Sequence, residues 1–358
     1  MANLLFENYQ LGSLTLKNKV VMAPMTRSRA PQNLPNSLMV EYYAQRASAG
    51  LIITEGTSPS PNGLGYARIP GIFSKEQVVG WKNVTDAVHE KGGKIFIQFM
   101  HTGRIAHQSN LPEGAKVIGA SEIAAGGDMW TDAEGMLPHT EPHDLSTSEV
   151  KATIEEYVDA AKNAIEAGFD GVELHAANGY LIEQFLNGAI NNRTDEFGGS
   201  VENRSRFLLE IAEKTILAIG KEKVGVRFSP YSNFNDIPVY SQVEETYTYL
   251  AKKLNDLGIA YIHLLDHSAT GEDLVPKTLR AEIRNAFKGA IIWCGGFTKE
   301  RAEAELEAGN ADLIAFGKPF ISNPDLVERL QSGAALTPTD FTTLYTPDEK
   351  GYVDYPTI

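Results

Sequence analysis

Eight short apolar runs alternate with stretches of helical periodicity, and this alternation restricts the fold more than any other feature of the chain. The runs cover residues 20–23, 51–54, 94–99, 171–174, 224–228, 260–264, 290–293 and 312–316. The predicted helices cover residues 147–167, 201–219, 241–257, 277–287, 299–308 and 323–331. Continuously apolar strands that alternate with amphipathic helices are typical of a parallel sheet covered by helices. Eight strands without a second cycle predict a closed (β/α)8 barrel, the TIM barrel fold.

Three segments fall outside this alternation. A hairpin around Gly12 is expected to lie across one end of the barrel. The connection 101–145 after the third strand is too long for a barrel loop and is expected to cover the mouth of the barrel. The tail from Thr337 is expected to fold back over the barrel. The 358 residues are therefore interpreted as one α/β barrel domain, 1–358.

Composition and charge exclude several classes of function. The net charge is −14 and the sequence pI about 5.1, so nucleic acid and anionic membrane surfaces are not expected partners. The chain has no secretory pattern and no apolar stretch long enough to span a bilayer, which favours a cytoplasmic location. The single cysteine, Cys294, excludes an internal disulfide and leaves no thiolate cluster for metal.

Residues 170–207 contain the strongest candidate site. His175, Asn178 and Tyr180 follow the predicted strand 171–174 at its carboxyl end, where α/β folds bind ligands. Histidine and asparagine three residues apart can lie on one side of a helical turn and donate to the same substrate oxygen. A neighbouring tyrosine can supply a proton. The structural alternative is that these residues satisfy the strand end and fill the core.

Arg227 lies inside the predicted strand 224–228. A buried guanidinium needs an anionic or electron-accepting partner, because an unpaired charge in a barrel core costs several kcal/mol. The partner could be a bound ligand or an internal carboxylate, for which Glu173 and Glu55 are both candidates.

The ends of the seventh and eighth strands predict a phosphate site. Glycines that open a helix let backbone N–H groups approach a phosphate, and the loops after these two strands bind phosphate in many barrels. Lys318 would supply the countercharge. The pattern does not indicate which phosphorylated molecule binds.

No metal site is predicted. His139 and His143 are four residues apart, as metal-binding histidines on a helix are, but Pro138 and Pro142 oppose the helix that would align them.

Several motifs together resemble the old yellow enzyme family of flavin-dependent ene reductases. The central one is HAANGYLIEQFLN followed by NNRTDEFGGSVENRSRF. The others are LKNKVVMAPMTRSRA, QFMHTGRIAHQSNLP, VGVRFSP and ADLIAFGKPFISNPDLVERL. The resemblance covers nearly the whole chain and implies a barrel that holds non-covalent FMN.

The resemblance also implies roles for individual residues. Three residues would line the flavin, with the last bonding near its reactive edge: Pro24, Met25 and Thr26. Gly56 would pack against the ring, and Gln98 and Arg227 would hold its pyrimidine side. The phosphate of FMN would bind at Gly295, Gly296, Gly317 and Lys318, although many relatives have arginine in place of this lysine.

The implied reaction begins with reduction of FMN by NADPH or NADH. Hydride then passes to the β-carbon of an α,β-unsaturated carbonyl or nitro compound. His175 and Asn178 would bind the carbonyl or nitro oxygen, and Tyr180 would give a proton to the α-carbon. The pocket wall would include Tyr66, Met100 and Tyr345; many relatives have tryptophan in place of Met100, so a roomier or more pliable pocket is expected.

Other interpretations remain open at this point. A barrel isomerase or aldolase without flavin would need a lysine or paired acids at the barrel mouth. A non-catalytic flavin-binding protein would predict loss of His175, Asn178 and Tyr180, which are all present. A dienoyl-CoA reductase-like relative would need an iron–sulfur cluster and further domains, which one cysteine and 358 residues exclude.

Overall fold

Eight parallel strands form a closed barrel in the computed structural model, which describes residues 3–267 and 273–358. In chain order the strands are β1 (Val20–Met22), β2 (Leu51–Thr57), β3 (Ile95–Phe99), β4 (Gly171–Ala176), β5 (Val224–Phe228), β6 (Tyr261–Leu265), β7 (Ala290–Cys294) and β8 (Leu313–Phe316). The barrel closes where Ala315 of β8 pairs with Val21 of β1. The predicted (β/α)8 barrel is confirmed, and all eight apolar runs are strands.

Helices surround the barrel. They are α1 (Ser37–Gln45), α2 (Lys75–Glu90), α3 (Thr147–Glu166), α4 (Leu181–Leu186), α5 (Val201–Ile219), α6 (Val243–Leu257), α7 (Lys277–Ala286), α8 (Lys299–Glu307), α9 (Lys318–Ser322) and α10 (Leu326–Ser332). Helix α3 begins with a capping box between Ser146 and Glu149. The helix predicted at 323–331 begins later, because Asn323 precedes Pro324 and is held out of the helical conformation. Among the described residues, no helix combines the length and apolarity needed to cross a membrane.

The amino end of the barrel is filled by aromatic rings. A Cβ atom at Gly171 would approach the Phe96 ring to 2.4 Å, so only glycine leaves room for that ring. The Phe96 and Tyr261 ring centroids are 5.8 Å apart. Leu11 and Leu16 of the N-terminal hairpin, which turns at Gly12, pack in the same cluster. The hairpin therefore covers this end, as expected.

The long connection after β3 covers part of the opposite end. It contains an antiparallel hairpin, Asp128–Thr131 with Gly135–Pro138, and a short parallel pair, Ile118–Gly119 with His143–Asp144. Arg104 ties this connection to the loop after β5, since its guanidinium donates to the carbonyl oxygen of Asp236 at 2.5 Å.

Two buried arginines hold the C-terminal tail over the barrel. The Arg27 guanidinium donates to the carbonyl oxygens of Leu344 and Gly351. Arg29 donates six hydrogen bonds, and five of them reach the tail segment 343–350. We refer to Arg27, Arg29 and residues 343–351 as the tail lock. The expected return of the tail over the barrel is confirmed.

Candidate active site

A cavity of about 980 Å³ opens at the carboxyl ends of the barrel strands. Most of the predicted site residues line it: Pro24, Thr26, Gly56, Tyr66, Gln98, Met100, His175, Asn178, Tyr180, Arg227 and Tyr345. The other predicted residues follow β1, β7 and β8 outside this lining: Met25, Gly295, Gly296, Gly317 and Lys318. A second cavity of about 610 Å³ lies at the amino end beneath the hairpin, and none of the predicted residues lines it.

His175 and Asn178 reach the cavity by a different backbone path from the expected one. Strand β4 extends to Ala176, so His175 lies in the strand. Asn178 has a φ of 60° and Gly179 a φ of 75°. Two consecutive left-handed residues turn the chain from β4 towards α4, and asparagine and glycine adopt this conformation most readily. The expectation that one helical turn aligns the two side chains is therefore wrong, although both line the cavity.

Three polar atoms of Asn178 make hydrogen bonds within the protein. Its backbone N–H donates to Ser229 Oγ at 2.9 Å, and its carbonyl oxygen accepts from Asn235 Nδ2 at 2.7 Å. Its side-chain Oδ1 lies 2.7 Å from His267 Nε2. Its Nδ2 group donates no hydrogen bond to any of the described residues. The side-chain NH2 is thus the polar group left for a ligand.

Glu183 supports the same turn from within the protein. Its carboxylate accepts from the Gly179 N–H at 2.7 Å and from the Tyr247 hydroxyl at 2.9 Å. Burial raises the pKa of Glu183 to about 7, and these hydrogen bonds oppose the rise.

The His175 imidazole is buried beside the cavity and is held neutral. Burial lowers its pKa well below the ordinary value, and the nearby Arg227 charge lowers it further. Its Nδ1 atom is buried with no hydrogen-bond partner among the described residues. A neutral imidazole offers one N–H donor to a ligand.

Tyr180 is positioned by a second tyrosine. Its hydroxyl lies 3.1 Å from the Tyr66 hydroxyl, and its ring packs edge-on against the His175 ring at 4.8 Å between centroids. Burial raises the pKa of Tyr180, so the phenol keeps its proton near neutral pH. This arrangement gives a neutral proton donor next to a neutral hydrogen-bond donor.

A buried network fixes the floor of the cavity. The Glu173 carboxylate accepts from Gln98 Nε2 at 2.8 Å and lies 2.8 Å from His263 Nδ1. Burial alone would raise the pKa of Glu173, but His263, Arg227 and Gln98 together lower it below the ordinary value. Since the Gln98 NH2 group is held by Glu173, its side-chain oxygen is left as an acceptor.

Arg227 forms no ion pair with any of the described residues. It is 4% exposed and lines the cavity, and no carboxylate of the described residues lies within 4.0 Å of it. Its Nε atom has no hydrogen-bond partner among these residues. Glu173 is engaged as above, and Glu55 accepts from the Tyr43 hydroxyl and the Arg27 N–H. The Arg227 charge helps to lower the pKa of Glu173, but no described carboxylate forms an ion pair with Arg227, so its guanidinium is available to an electron-rich ligand.

Gly56 and Met100 are in direct contact at the cavity wall. A Cβ atom at Gly56 would come within 2.4 Å of Met100 Sδ. Only glycine at this position lets the flexible methionine side chain lie against β2.

The predicted phosphate residues lie at the ends of adjacent strands, since Cys294 of β7 pairs with Ala315 of β8. Gly296 has a φ of 61°, and the backbone N–H groups of Gly296 and Gly317 donate to no described residue. Lys318 is exposed. Open backbone donors beside an exposed lysine form a suitable environment for a phosphate.

Part of the rim of the cavity is apolar, which the sequence did not predict apart from Tyr345. Four more large apolar side chains, each about half exposed, line it: Trp130, Met136, Phe234 and Phe341. Exposed apolar groups clustered around one opening are typical of a binding site for an apolar ring system. A signal for the first two was the apolar pairs Met129-Trp130 and Met136-Leu137 on either side of the short polar turn between them.

The histidines of the long connection do not form one site. His139 Nδ1 lies 3.1 Å from the Gly127 carbonyl oxygen, whereas His143 lies 3.5 Å from Glu149. The ligand atoms of Glu122, His143 and Asp144 lie within 4.8 Å of one another, and all three residues are exposed.

A family model matches most of the chain. The model described as the NADH:flavin oxidoreductase / NADH oxidase family matches residues 4–337. A Leishmania infantum protein, named a probable flavin mononucleotide-dependent alkene reductase, is 42% identical over 352 residues. The aligned region covers 97% of this chain and 95% of that protein.

Two solved structures are similar over nearly the whole chain. Morphinone reductase in complex with tetrahydroNAD is 43% identical, with a TM-score of 0.94, over 99% of this chain and 97% of that chain. The old yellow enzyme homologue from Zymomonas mobilis is also 43% identical, with a TM-score of 0.95, over 99% of both chains.

Proposed function

The chain belongs to the NADH:flavin oxidoreductase / NADH oxidase family, and from this premise we propose how its cavity performs ene reduction. The resemblance to the old yellow enzymes is confirmed. The protein is an FMN-dependent oxidoreductase that uses a nicotinamide as reductant and reduces activated alkenes.

The residues around the cavity fit FMN. The observation that carries the proposal is Arg227, whose buried guanidinium lines the cavity without an ion-pair partner among the described residues and therefore suits the electron-rich pyrimidine edge of a flavin. Gln98 would hold the same edge through its free side-chain oxygen. Pro24, Met25, Thr26 and Gly56 would line the ring.

The phosphate of FMN would bind at the ends of β7 and β8. The free N–H groups of Gly296 and Gly317 support this placement, with Gly295 beside them and Lys318 as countercharge. Lysine supplies a point charge rather than the fork of arginine, so the backbone donors would fix the orientation of the phosphate.

When bound, FMN supplies the two-electron chemistry, since hydride reaches it from NADPH or NADH and leaves it for the β-carbon of the alkene. His175 and Asn178 would donate hydrogen bonds to the carbonyl or nitro oxygen of the substrate. Donation to this oxygen withdraws electrons from the double bond and stabilises negative charge as hydride arrives.

Tyr180 would complete the reaction by donating its phenolic proton to the α-carbon. Hydride and proton together add two hydrogen atoms across the double bond, and the phenolate regains a proton from solvent. The raised pKa of Tyr180 keeps the proton on the phenol until negative charge develops on the substrate. The adjacent Tyr66 hydroxyl would hold the donor in place.

Tyr66, Met100 and Tyr345 would contact the substrate from the cavity wall. The apolar rim supports substrates with a ring system. A single domain over residues 1–358 and a cytoplasmic location stay predictions.

A barrel aldolase or isomerase that uses a Schiff-base lysine finds no support in the cavity. None of the described residues that line it is a lysine. Lys318 lies beyond the lining at the start of α9.

The proposal is tested by absorption spectroscopy of the purified protein. We expect a flavin spectrum that bleaches on anaerobic addition of NADPH or NADH and recovers with 2-cyclohexenone, and separate titrations give the preference between the two nicotinamides. A nitroalkene in place of the enone tests the second substrate class. Bound flavin that no activated alkene reoxidises would contradict the proposed substrate chemistry.

A further inference from the structure

The direction of the Asn178 amide decides whether it can bind a substrate oxygen. Its two ends have nearly the same shape, but Nδ2 donates hydrogen bonds and Oδ1 only accepts them. A rotation of the amide by half a turn would place Oδ1 in the cavity, where it would repel a carbonyl or nitro oxygen. The backbone bonds of Asn178 to Ser229 and Asn235 fix the main chain but do not set this direction.

His267 contacts the oxygen end of this amide and does not itself line the cavity. Its Nε2 atom lies 2.7 Å from Asn178 Oδ1, across 89 positions of sequence. A ring with the proton on Nε2 donates to Oδ1 and leaves Nδ2 for the ligand. A ring with the proton only on Nδ1 would accept from Nδ2 and reverse the amide.

The surrounding structure holds His267 in place. It follows β6, and the preceding residue Asp266 is anchored firmly, since its N–H donates to the Cys294 carbonyl oxygen and its carboxylate accepts from the N–H groups of Leu274 and Val275. The His267 ring stacks on Phe234 with centroids 5.5 Å apart and an angle of 12° between the planes. Phe234 precedes Asn235, which holds the Asn178 carbonyl oxygen. The His267 ring, the loop residues Phe234 and Asn235, and Asn178 thus form one connected unit.

We propose that His267 is a positioning residue that donates from Nε2 to Asn178 Oδ1 and so directs the Asn178 NH2 group at the substrate oxygen. The proposal rests on the function proposed above, in which Asn178 donates to that oxygen. It adds that the specificity of the site for an oxygen acceptor depends on a residue that need not touch the substrate. Burial lowers the pKa of His267, and a neutral ring can donate from Nε2.

A double-mutant cycle on the FMN-loaded protein tests the proposal. The variants are His267→Phe, which keeps an aromatic ring against Phe234 but has no donor, Asn178→Ala, and the combination of both. The measured quantity is the dissociation constant of 4-hydroxybenzaldehyde, a phenol that mimics the substrate oxygen, from the change in flavin absorbance. His267→Gln, which restores an N–H donor of similar reach, is the matched control.

We expect each single substitution to weaken phenol binding about tenfold. The double variant should bind no more weakly than Asn178→Ala, because His267 acts through that residue. His267→Gln should bind at least several times more tightly than His267→Phe.

Three results would overturn the proposal, and they differ in whether the proposed role of Asn178 is rejected as well. Unchanged affinity in Asn178→Ala would remove the donor role of Asn178, and the inference would fall with it. A normal effect of Asn178→Ala with none of His267→Phe would leave the proposed function intact and reject only the inference. Additive losses in the double variant, near a hundredfold, would assign His267 a role independent of Asn178.

Discussion

Arg29 and Arg227 are both buried, but the fold surrounds them in opposite ways. Arg29 is fully buried and donates six hydrogen bonds within the protein. Arg227 is 4% exposed, yet it has no carboxylate within 4.0 Å and its Nε atom has no partner among the described residues. The first arginine joins two parts of the chain. The second keeps hydrogen-bonding capacity that a ligand in the cavity can use, so the bonding of a buried charge indicates its role better than its burial does.

The same contrast separates the tail lock from the cavity wall. In the tail lock, each guanidinium is matched to carbonyl oxygens of residues 343–351. At the cavity, the Asn178 NH2 group has no hydrogen-bond partner among the described residues, and the neutral His175 imidazole lines the wall. Substitutions in the two regions should therefore affect different properties, stability in one and ligand binding in the other.

Arg29→Met should cause the largest change. It leaves several buried carbonyl oxygens without donors, and we expect a loss of about 3–5 kcal/mol in the free energy of unfolding. Urea unfolding of the FMN-free protein measures this, with Arg29→Lys as the charge-preserving control. Lysine cannot reach all six acceptors, so an intermediate loss is expected. A loss below about 1 kcal/mol would show that the tail does not depend on this residue.

Arg227→Met should reduce FMN affinity and leave the stability of the FMN-free protein intact. FMN affinity should fall by about 2–4 kcal/mol, roughly 30-fold to 1,000-fold, because a buried charged partner is removed. The FMN-free protein should be no less stable than the parent, since a buried charge without an ion-pair partner among the described residues disappears. Equilibrium dialysis and urea unfolding give the two quantities. A large loss of stability with unchanged FMN affinity would place Arg227 in the same class as Arg29.

Glu183→Gln should give the smallest effect, a change in the pH dependence of stability. The pKa of Glu183 is about 7 in the folded protein against 4.5 for the ordinary carboxyl group. Between these values the folded state retains a proton that the unfolded state releases, so the Glu183 contribution to stability falls as pH rises from about 4.5 to about 7.

Glutamine has nearly the same shape and does not titrate. As pH rises through that range, the variant should therefore become progressively more stable relative to the parent. Unfolding at several pH values measures this difference. A difference that is constant with pH would contradict the raised pKa. Since Glu183 bonds within the protein, phenol affinity should change little.

The sequence was sufficient to predict the barrel, because its strands are short apolar runs bounded by polar residues. Most of the predicted bounds agree with the structure to within one or two residues, as at Val224–Phe228. Strand β2 is longer than predicted, because Glu55 and Gly56 continue it beyond the apolar run. Pattern reasoning cannot detect a strand that continues through a buried glutamate.

Distances between loops were harder to predict. Sequence spacing placed His175 and Asn178 on a helical turn, whereas Asn178 adopts a left-handed conformation that spacing alone does not indicate. His267 stands at a strand end, which was an available signal, but its contact with Asn178 depends on the closure of the barrel. The roles of individual residues at the cavity stay predictions until they are measured.

The most direct test of the account is to separate the two half-reactions in Tyr180→Phe. Tyr180 lies on the cavity wall and supplies the proton in the proposed reaction, so its loss should spare flavin reduction by NADPH or NADH. Reoxidation by 2-cyclohexenone should slow by about 100-fold or more. Rapid-mixing absorbance at the flavin band records both rates. Equal slowing of both half-reactions, or no slowing of reoxidation, would contradict the claim that Tyr180 at this cavity supplies the proton.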